Sequence, residues 1–266
     1  MKQYGLIGYP LSHSFSKKYF TEKFEHGKIT EVKYDLFPIE NIDELPALLK
    51  KHPDLCGLNV TVPYKISVLK YLDWIESDAK GAGAVNCIRI SAESPIEAAF
   101  SGEVGIKDHN FRLEGFNTDL YGFEKSLKPL LKEQHDQALV LGDGGAAKAV
   151  KCVLENLGIN YRLVTRKPYH DNLLFKDLKP HHIEQHKLII NTTPLGMSPN
   201  IDEFPPIPYE SITNEHLLYD LIYNPEETVF LKKGKEHGAA IKNGYEMLVL
   251  QAEKSWEIWT EKAKHP

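Results

Sequence analysis

Cysteine is scarce in this chain, at three residues in 266, namely Cys56, Cys87 and Cys152. An odd, small set lying in apolar stretches does not make a disulfide framework, and small buried thiols are expected instead. Long apolar runs are missing as well. None approaches the roughly 20 residues that a membrane span requires. The opening "MKQYGLIGYP" holds one lysine and a short apolar patch, too little for a signal peptide, so a cytoplasmic protein without a membrane partner is expected. Positive charge is not in excess either: the formal net charge is −5, and no long stretch offers the basic surface that nucleic acid demands. The twelve histidines form no metal signature. "HHIEQH" puts His182 and His186 four apart with no third ligand at a recognised spacing, so a surface segment and no metal are expected there.

What is present is the composition of a soluble globular protein, 42% hydrophobic and 26% charged, long enough for one large domain or two ordinary ones. From residue 1 to about 90, "QYGLIG", "FSKKYFTEKF", "VKYDLF", "NIDELPALLKK", "CGLNVTV" and "ISVLKYLDWI" read as strand, helix, strand, helix, strand, helix. That alternation predicts α/β architecture with a mainly parallel sheet. "AVNCIRI" and "EVGIKDHNFRLEGF" then suggest a hairpin with an exposed loop. A helix follows at "NTDLYGFEKSLK", with Asn or Thr as its N-cap. A second α/β series runs through "QALVLGDGGAAKAV", "YRLVTRK", "KLIINTTP", "LLYDLIY" and "AAIKNG", and "YEMLVLQAEKSWEIWTEKA" predicts an amphipathic C-terminal helix of about five turns. No internal repeat interrupts the chain.

Two stretches carry chemistry. In "GLNVTVPYK" an apolar strand ends by delivering Lys65, with Asn59 and Thr61 spaced along the way. In "ALVLGDGGAAKAV" a buried strand runs into Gly142, Gly144, Gly145, Ala146 and Ala147 and then a helix, matching G-x-G-x-x-A in a strand-turn-helix context. The first glycine permits the tight turn, the second lets the backbone approach a pyrophosphate, and the small third residue lets helix and strand pack. The helix N-terminus offers unpaired N–H groups to the phosphates. The next strand ends in Thr165, Arg166 and Lys167, without the carboxylate that would hold an unphosphorylated ribose. A guanidinium there suits a 2′-phosphate, which favours NADP(H) over NAD(H). Asp143 is awkward, because an anion in a phosphate loop repels the cofactor unless its side chain turns away.

With "HSFS", "NVTVPYK", "GAVN", "NTD", "GDGGAAKA" and "YEMLVLQA" in this order, the chain resembles the shikimate dehydrogenase family over essentially its whole length. The resemblance implies two α/β domains with the active site in the cleft between them. Residues 1–118 plus 246–266 would form the substrate domain and residues 119–245 a Rossmann-like NADP-binding domain. It implies that Ser14 and Ser16 bind the substrate carboxylate, that Thr61, Lys65, Asn86, Asp119 and Gln251 surround the ring hydroxyls, and that Tyr223 of "DLIYNP" reaches the same substrate. It adds Thr192, Ile222 and Gly244 to the cofactor set, while Asn117 is read as structural.

Oxidising a secondary alcohol needs a hydride acceptor on one face of the carbon and a proton acceptor on the other. Lys65 is read as the general acid/base and Asp119 as its partner. The expected activity is the NADP-dependent interconversion of 3-dehydroshikimate and shikimate in aromatic amino-acid biosynthesis, with a small molecule as partner and the protein a monomer or homodimer. A quinate or mixed quinate/shikimate dehydrogenase is the alternative, and a non-catalytic cofactor sensor on the same fold the third reading. The chain departs from the family at "TRKPYH", where Thr165 replaces an Asn and His170 a second basic residue, and at "INTTPLGM", where Thr192 and Pro194 are substituted.

Overall fold

The computed structural model describes residues 1–11, 14–92, 111–168 and 171–261. The chain divides into two compact units, residues 1–118 with 252–266 and residues 119–251.

In the first unit, β1 (Lys2–Gly8) leads into α1 (Phe15–His26), β2 (Val32–Pro38), α2 (Leu45–Lys51), β3 (Leu55–Val60), β4 (Trp74–Ile75), α3 (Ser77–Ala82), β5 (Cys87–Ala92) and β6 (Phe111–Phe116). The sheet order is β2-β1-β3-β5-β6-β4. β1 pairs in parallel with β2 and β3, whereas β5 is antiparallel to both β3 and β6. The expected hairpin is therefore present as the β5/β6 pair, and the loop expected at its tip lies outside the described residues. β1 is buried on both faces from Gln3 onward, because each face of the sheet carries its own core. One holds Ile7, Leu45, Leu49, Leu58, Val60 and Ile88. The other is aromatic, with Phe20 stacked on Tyr34 at 4.6 Å and Tyr4 on Trp259 at 5.0 Å.

"ISVLKYLDWI" is not an α-helix. Residues Ser67–Tyr71 form a 3-10 turn without a side-chain cap, and Trp74–Ile75 break away to pair with β6.

The second unit contains nearly all of α4 (Thr118–Leu127), then β7 (Gln137–Leu141), α5 (Gly145–Asn156), β8 (Asn160–Thr165), β9 (Leu173–Leu174), α6 (Pro180–Gln185), β10 (Leu188–Asn191), β11 (Leu217–Asp220), α7 (Val229–Glu236), β12 (Ala240–Lys242) and the start of α8 (Tyr245–Thr260), whose remainder belongs to the first unit. Its six strands pair in parallel in the order β12-β11-β10-β7-β8-β9. Numbered within the unit that is 6-5-4-1-2-3, the doubly wound arrangement of a dinucleotide fold. β7, β10 and β11 are almost wholly apolar runs because helices cover both faces.

Two smaller expectations need correction. Only Cys87 is fully buried, since Cys56 and Cys152 are partly exposed. His186 does not lie on the surface: its ring is buried and donates from Nδ1 to the His182 carbonyl, closing the end of α6. Among the described residues no group of metal-ligating side chains could hold an ion, and no helix is long and apolar enough to cross a membrane.

Candidate functional site

The glycine turn sits between β7 and α5. Gly142 has φ +102°, a conformation that suits glycine, and an added Cβ would lie 2.9 Å from Thr192 Oγ1. At Gly144 and Gly145 an added Cβ would meet nothing within 4 Å, so the backbone there faces open space. α5 starts with no side-chain cap on its N–H groups. Ala147 is fully buried beneath the turn while Ala146 is exposed. An uncapped helix start with unobstructed backbone is the arrangement that accepts phosphate.

A cavity of about 480 Å³ opens over this turn. Gly142, Asp143 and Gly144 form one side, Thr165, Arg166, Lys167, Asn172 and Phe175 a second, and Thr192 through Leu195 a third. The cations expected to meet a 2′-phosphate therefore share a cavity with the glycine turn. Thr165 serves its own loop: its hydroxyl donates to the Lys167 carbonyl at 2.7 Å and accepts from Asn172 Nδ2 at 3.2 Å. His170 lies outside the described residues. Asp143 is answered by Lys151, whose Nζ lies 2.8 Å from its carboxylate.

The third side is held from beneath. Thr192 donates from both N–H and hydroxyl to the Leu141 carbonyl, tying the end of β10 to β7. Asn191 Oδ1 accepts from the Thr193 N–H at 3.0 Å and the Thr193 hydroxyl at 2.7 Å, while its Nδ2 donates to Asp220 Oδ1 at 3.0 Å. Asp220, fully buried at the end of β11, also accepts from Ile222 N. Burial pushes its carboxyl up to about 6, outweighing the hydrogen bonds from Thr228, Ile222 and Asn191, which act the other way.

The first unit gathers its own set at one sheet edge. β1 and β3 run in parallel, so their carboxyl ends coincide, and antiparallel β5 begins there. Thr61 follows β3 and bonds the Ile7 carbonyl through its N–H; Asn86 precedes β5, and its carbonyl accepts from Val60 N at 2.8 Å. Lys65 is tied to the same edge by its carbonyl, which accepts from Val85 N at 2.8 Å. Thr61, Lys65 and Asn86 are thus neighbours along the edge where α/β sheets bind ligands. The Asn86 Oδ1 is engaged at 2.7 Å by the Thr118 N–H, making it the amide that caps α4. Asn117 is structural, donating to the Ala84 carbonyl. Asn59, which the sequence places on the way to Lys65, is consumed in the core between Tyr34 and Ser255. Ser14 caps α1, accepting from Lys17 N at 3.2 Å, and Ser16 is the second residue of that helix.

In the second unit, Asp119 lies half-buried in the first turn of α4, and Gln251 lies on α8, which packs closely on α4 at Gly122. Gln251 Nε2 donates to the Leu248 carbonyl at 3.0 Å. Tyr223 is 38% exposed just beyond β11. Ile222 and Gly244 do not line the cavity: they bond each other, Gly244 N to Ile222 O at 3.0 Å, and Gly244 is a glycine because a Cβ would strike the Leu221 carbonyl.

The "INTTPLGM" loop, expected from the sequence to line the cofactor site, supplies Thr192 through Leu195, whereas sequence reasoning missed Asn172, Phe175 and Asp220. The last carried a signal, since "LLYD" puts a carboxylate at the end of a run too apolar to leave it in water. Asn172 and Phe175 carried none, because β9 is two residues long and shows no periodicity.

A family model described as the shikimate dehydrogenase substrate binding domain matches residues 6–88. The chain is 40% identical over 271 residues to the shikimate dehydrogenase (NADP(+)) of Clostridium beijerinckii, the match covering 98% of this chain and 93% of the relative. It is 37% identical over 275 residues to the shikimate dehydrogenase (NADP(+)) of Methanococcus aeolicus, covering 97% and 92%. The crystal structure of shikimate 5-dehydrogenase from Thermus thermophilus in complex with NADP(H) and shikimate superposes with a TM-score of 0.78 at 28% identity, over 98% of this chain and 94% of that one.

Proposed function

The chain belongs to the shikimate dehydrogenase family, and from that premise we propose that it interconverts 3-dehydroshikimate and shikimate with NADP(H), in aromatic amino-acid biosynthesis. The observation that carries this reading is the cavity in which an uncapped helix start and Arg166 face the same space, with no carboxylate at the end of β8. These residues fit the cofactor: the N–H groups of α5 suit a pyrophosphate, and Arg166 with Lys167 suits the 2′-phosphate. When bound, the nicotinamide supplies the hydride acceptor or donor.

In this reading the chain's own residues handle the proton and the substrate. Lys65 takes the hydroxyl proton at Nζ during oxidation and returns it during reduction, and Asp119 orients that ammonium. Ser14 and Ser16 hold the ring carboxylate. Thr61, Asn86, Gln251 and Tyr223 hold the hydroxyls, Asn86 through its Nδ2 because its Oδ1 caps α4. The enzyme is read as cytoplasmic and as a monomer or homodimer, the latter checked by sedimentation.

The test is absorbance at 340 nm with the purified protein, shikimate against quinate, each with NADP⁺ and with NAD⁺. Turnover chiefly with shikimate and NADP⁺ is expected. Preference for quinate would overturn the substrate assignment, preference for NAD⁺ the role of Arg166, and no turnover in any combination the enzymatic reading itself.

A further inference from the structure

Asp143 stands second in the glycine turn, lining the same cavity as Arg166 and Lys167. A cofactor carrying a pyrophosphate and a 2′-phosphate brings several negative charges into that cavity, so a carboxylate on its wall opposes binding and competes for the cations that should meet the phosphates. The structure shows what restrains it. Lys151 lies eight residues on, two turns along α5, and its ammonium stands 2.8 Å from Asp143 Oδ1. Both side chains are partly sheltered, at 24% and 30% exposure.

Lys151 has a competing partner in Glu155, four residues along the same helix, the spacing at which such residues ordinarily pair. Glu155 is occupied elsewhere: its Oε1 accepts from the Tyr161 hydroxyl of β8 at 2.7 Å. Burial and that hydrogen bond push the Tyr161 hydroxyl up to about 12, so it remains a donor at neutral pH. Tyr161 thus holds Glu155, which leaves Lys151 for Asp143.

We propose that Lys151 is a positioning residue for cofactor selection: by holding the Asp143 carboxylate on α5 it keeps Arg166 and Lys167 available to the phosphates, and so sets the affinity for a 2′-phosphorylated dinucleotide. The inference rests on the NADP(H) reading above. It differs from a direct role for either residue, because it makes the loss of Lys151 harmful only while Asp143 is charged.

The test is a charge cycle read by calorimetric titration of the full-length protein with NADP⁺ and, separately, NAD⁺. K151M is expected to weaken NADP⁺ binding about two- to fivefold, the range for a partly exposed ion pair, and NAD⁺ binding less. The NADP⁺ penalty should shrink as salt is raised tenfold, a change that shortens the Debye length about threefold. D143N is expected to leave binding unchanged or tighter, and K151M/D143N to return to the wild-type constant. Thermal midpoints of the cofactor-free variants should stay together, so that the change belongs to the cavity. A double variant as weak as K151M would show that Lys151 touches the cofactor directly, and D143N weaker than wild type would show that Asp143 does; either overturns the proposal. Tight binding by wild type with K151M unaffected overturns this inference alone, whereas a wild type that binds no NADP⁺ overturns the cofactor reading and the inference with it.

Discussion

The Thr228 hydroxyl donates to Oδ2 of Asp220 at 2.6 Å while the same oxygen of Thr228 accepts from Leu231 N, so one threonine both caps α7 and closes the shell around a fully buried carboxylate. Through Asn191 that shell reaches Thr193 on the cavity wall. Asp220 is therefore a structural charge beneath a binding surface, and its burial outweighs its three donors.

Its titration sets a sign. The carboxyl is raised from 3.8 to about 6 in the folded protein, so the favourable contribution is complete below 3.8 and is lost as pH rises through 6. Wild-type stability relative to D220N should fall by roughly 3 kcal/mol between pH 4 and pH 7, from a shift of about two units. Urea unfolding of both proteins across that range reads it directly, since the other groups titrate alike in both. A difference that stays constant with pH would remove Asp220 from the titrating set.

Two buried histidines work in the opposite direction. His135 Nδ1 accepts from Lys132 N and its Nε2–H donates to the Glu215 carbonyl; His216 accepts from Thr213 N and donates to the Ile183 carbonyl. A proton on Nδ1 would confront a backbone N–H, and burial lowers both pKa values below 6.5. Their contribution is present above 6.5 and lost as pH falls through the depressed folded values. The thermal midpoint of D220N, freed of the opposing carboxylate, should drop on acidification from pH 7 to pH 5, and H135N/H216N in that background should flatten the slope. An unchanged slope would place the acid sensitivity elsewhere.

Arg166 is expected to separate the two dinucleotides. A charge-assisted hydrogen bond to phosphate is worth about 1.5–3 kcal/mol, so R166M should weaken NADP⁺ binding about tenfold to a hundredfold and NAD⁺ binding by less than about threefold. Titration of each dinucleotide measures the ratio. Equal losses would mean that Arg166 positions the loop and does not read the 2′-phosphate.

The two α/β series, the glycine turn and the cationic end of β8 were legible in the sequence because each is local: a strand run, a turn and a helix start lie within a dozen residues. The exceptions have physical causes. Residues Ser67–Tyr71 carry helix-like spacing, yet pairing of Trp74 and Ile75 with β6 overrides it. Asn86 and Ser14, read from the family pattern as substrate ligands, also cap α4 and α1, and for Asn86 that added role depends on which helix start folds beside it and is invisible in its own segment. Asp143 was a contradiction in one dimension, resolved by a lysine two helical turns away.

Lys65 carries the proposed proton transfer, and its replacement should divide the kinetics. Removing a general acid/base lowers turnover about 10²–10⁴-fold, so K65A should lose that much in kcat. The KM for shikimate should change by less than about tenfold if Lys65 acts mainly in the transition state. Stopped-flow and steady-state assays with shikimate and NADP⁺ measure both, and normal turnover by K65A would end the assignment.

Gly57 tests how the C-terminal part of α8 is seated in the first unit. Gly57 lies in β3 opposite Tyr4 of β1 and Arg89 of β5, and a Cβ there would intrude on the indole of Trp259. That indole stacks on Tyr4 and donates from Nε1 to the Ile88 carbonyl at 3.0 Å, so it cannot withdraw without giving up both interactions. The cost of G57A combines overpacking with a lost aromatic pair and a lost buried hydrogen bond, about 3 kcal/mol together. Urea unfolding followed by tryptophan fluorescence should show that loss, and G57A/W259F should recover part of it because the smaller ring leaves room for the methyl. If G57A were as stable as wild type, the close fit of strand to indole would not be what holds the helix.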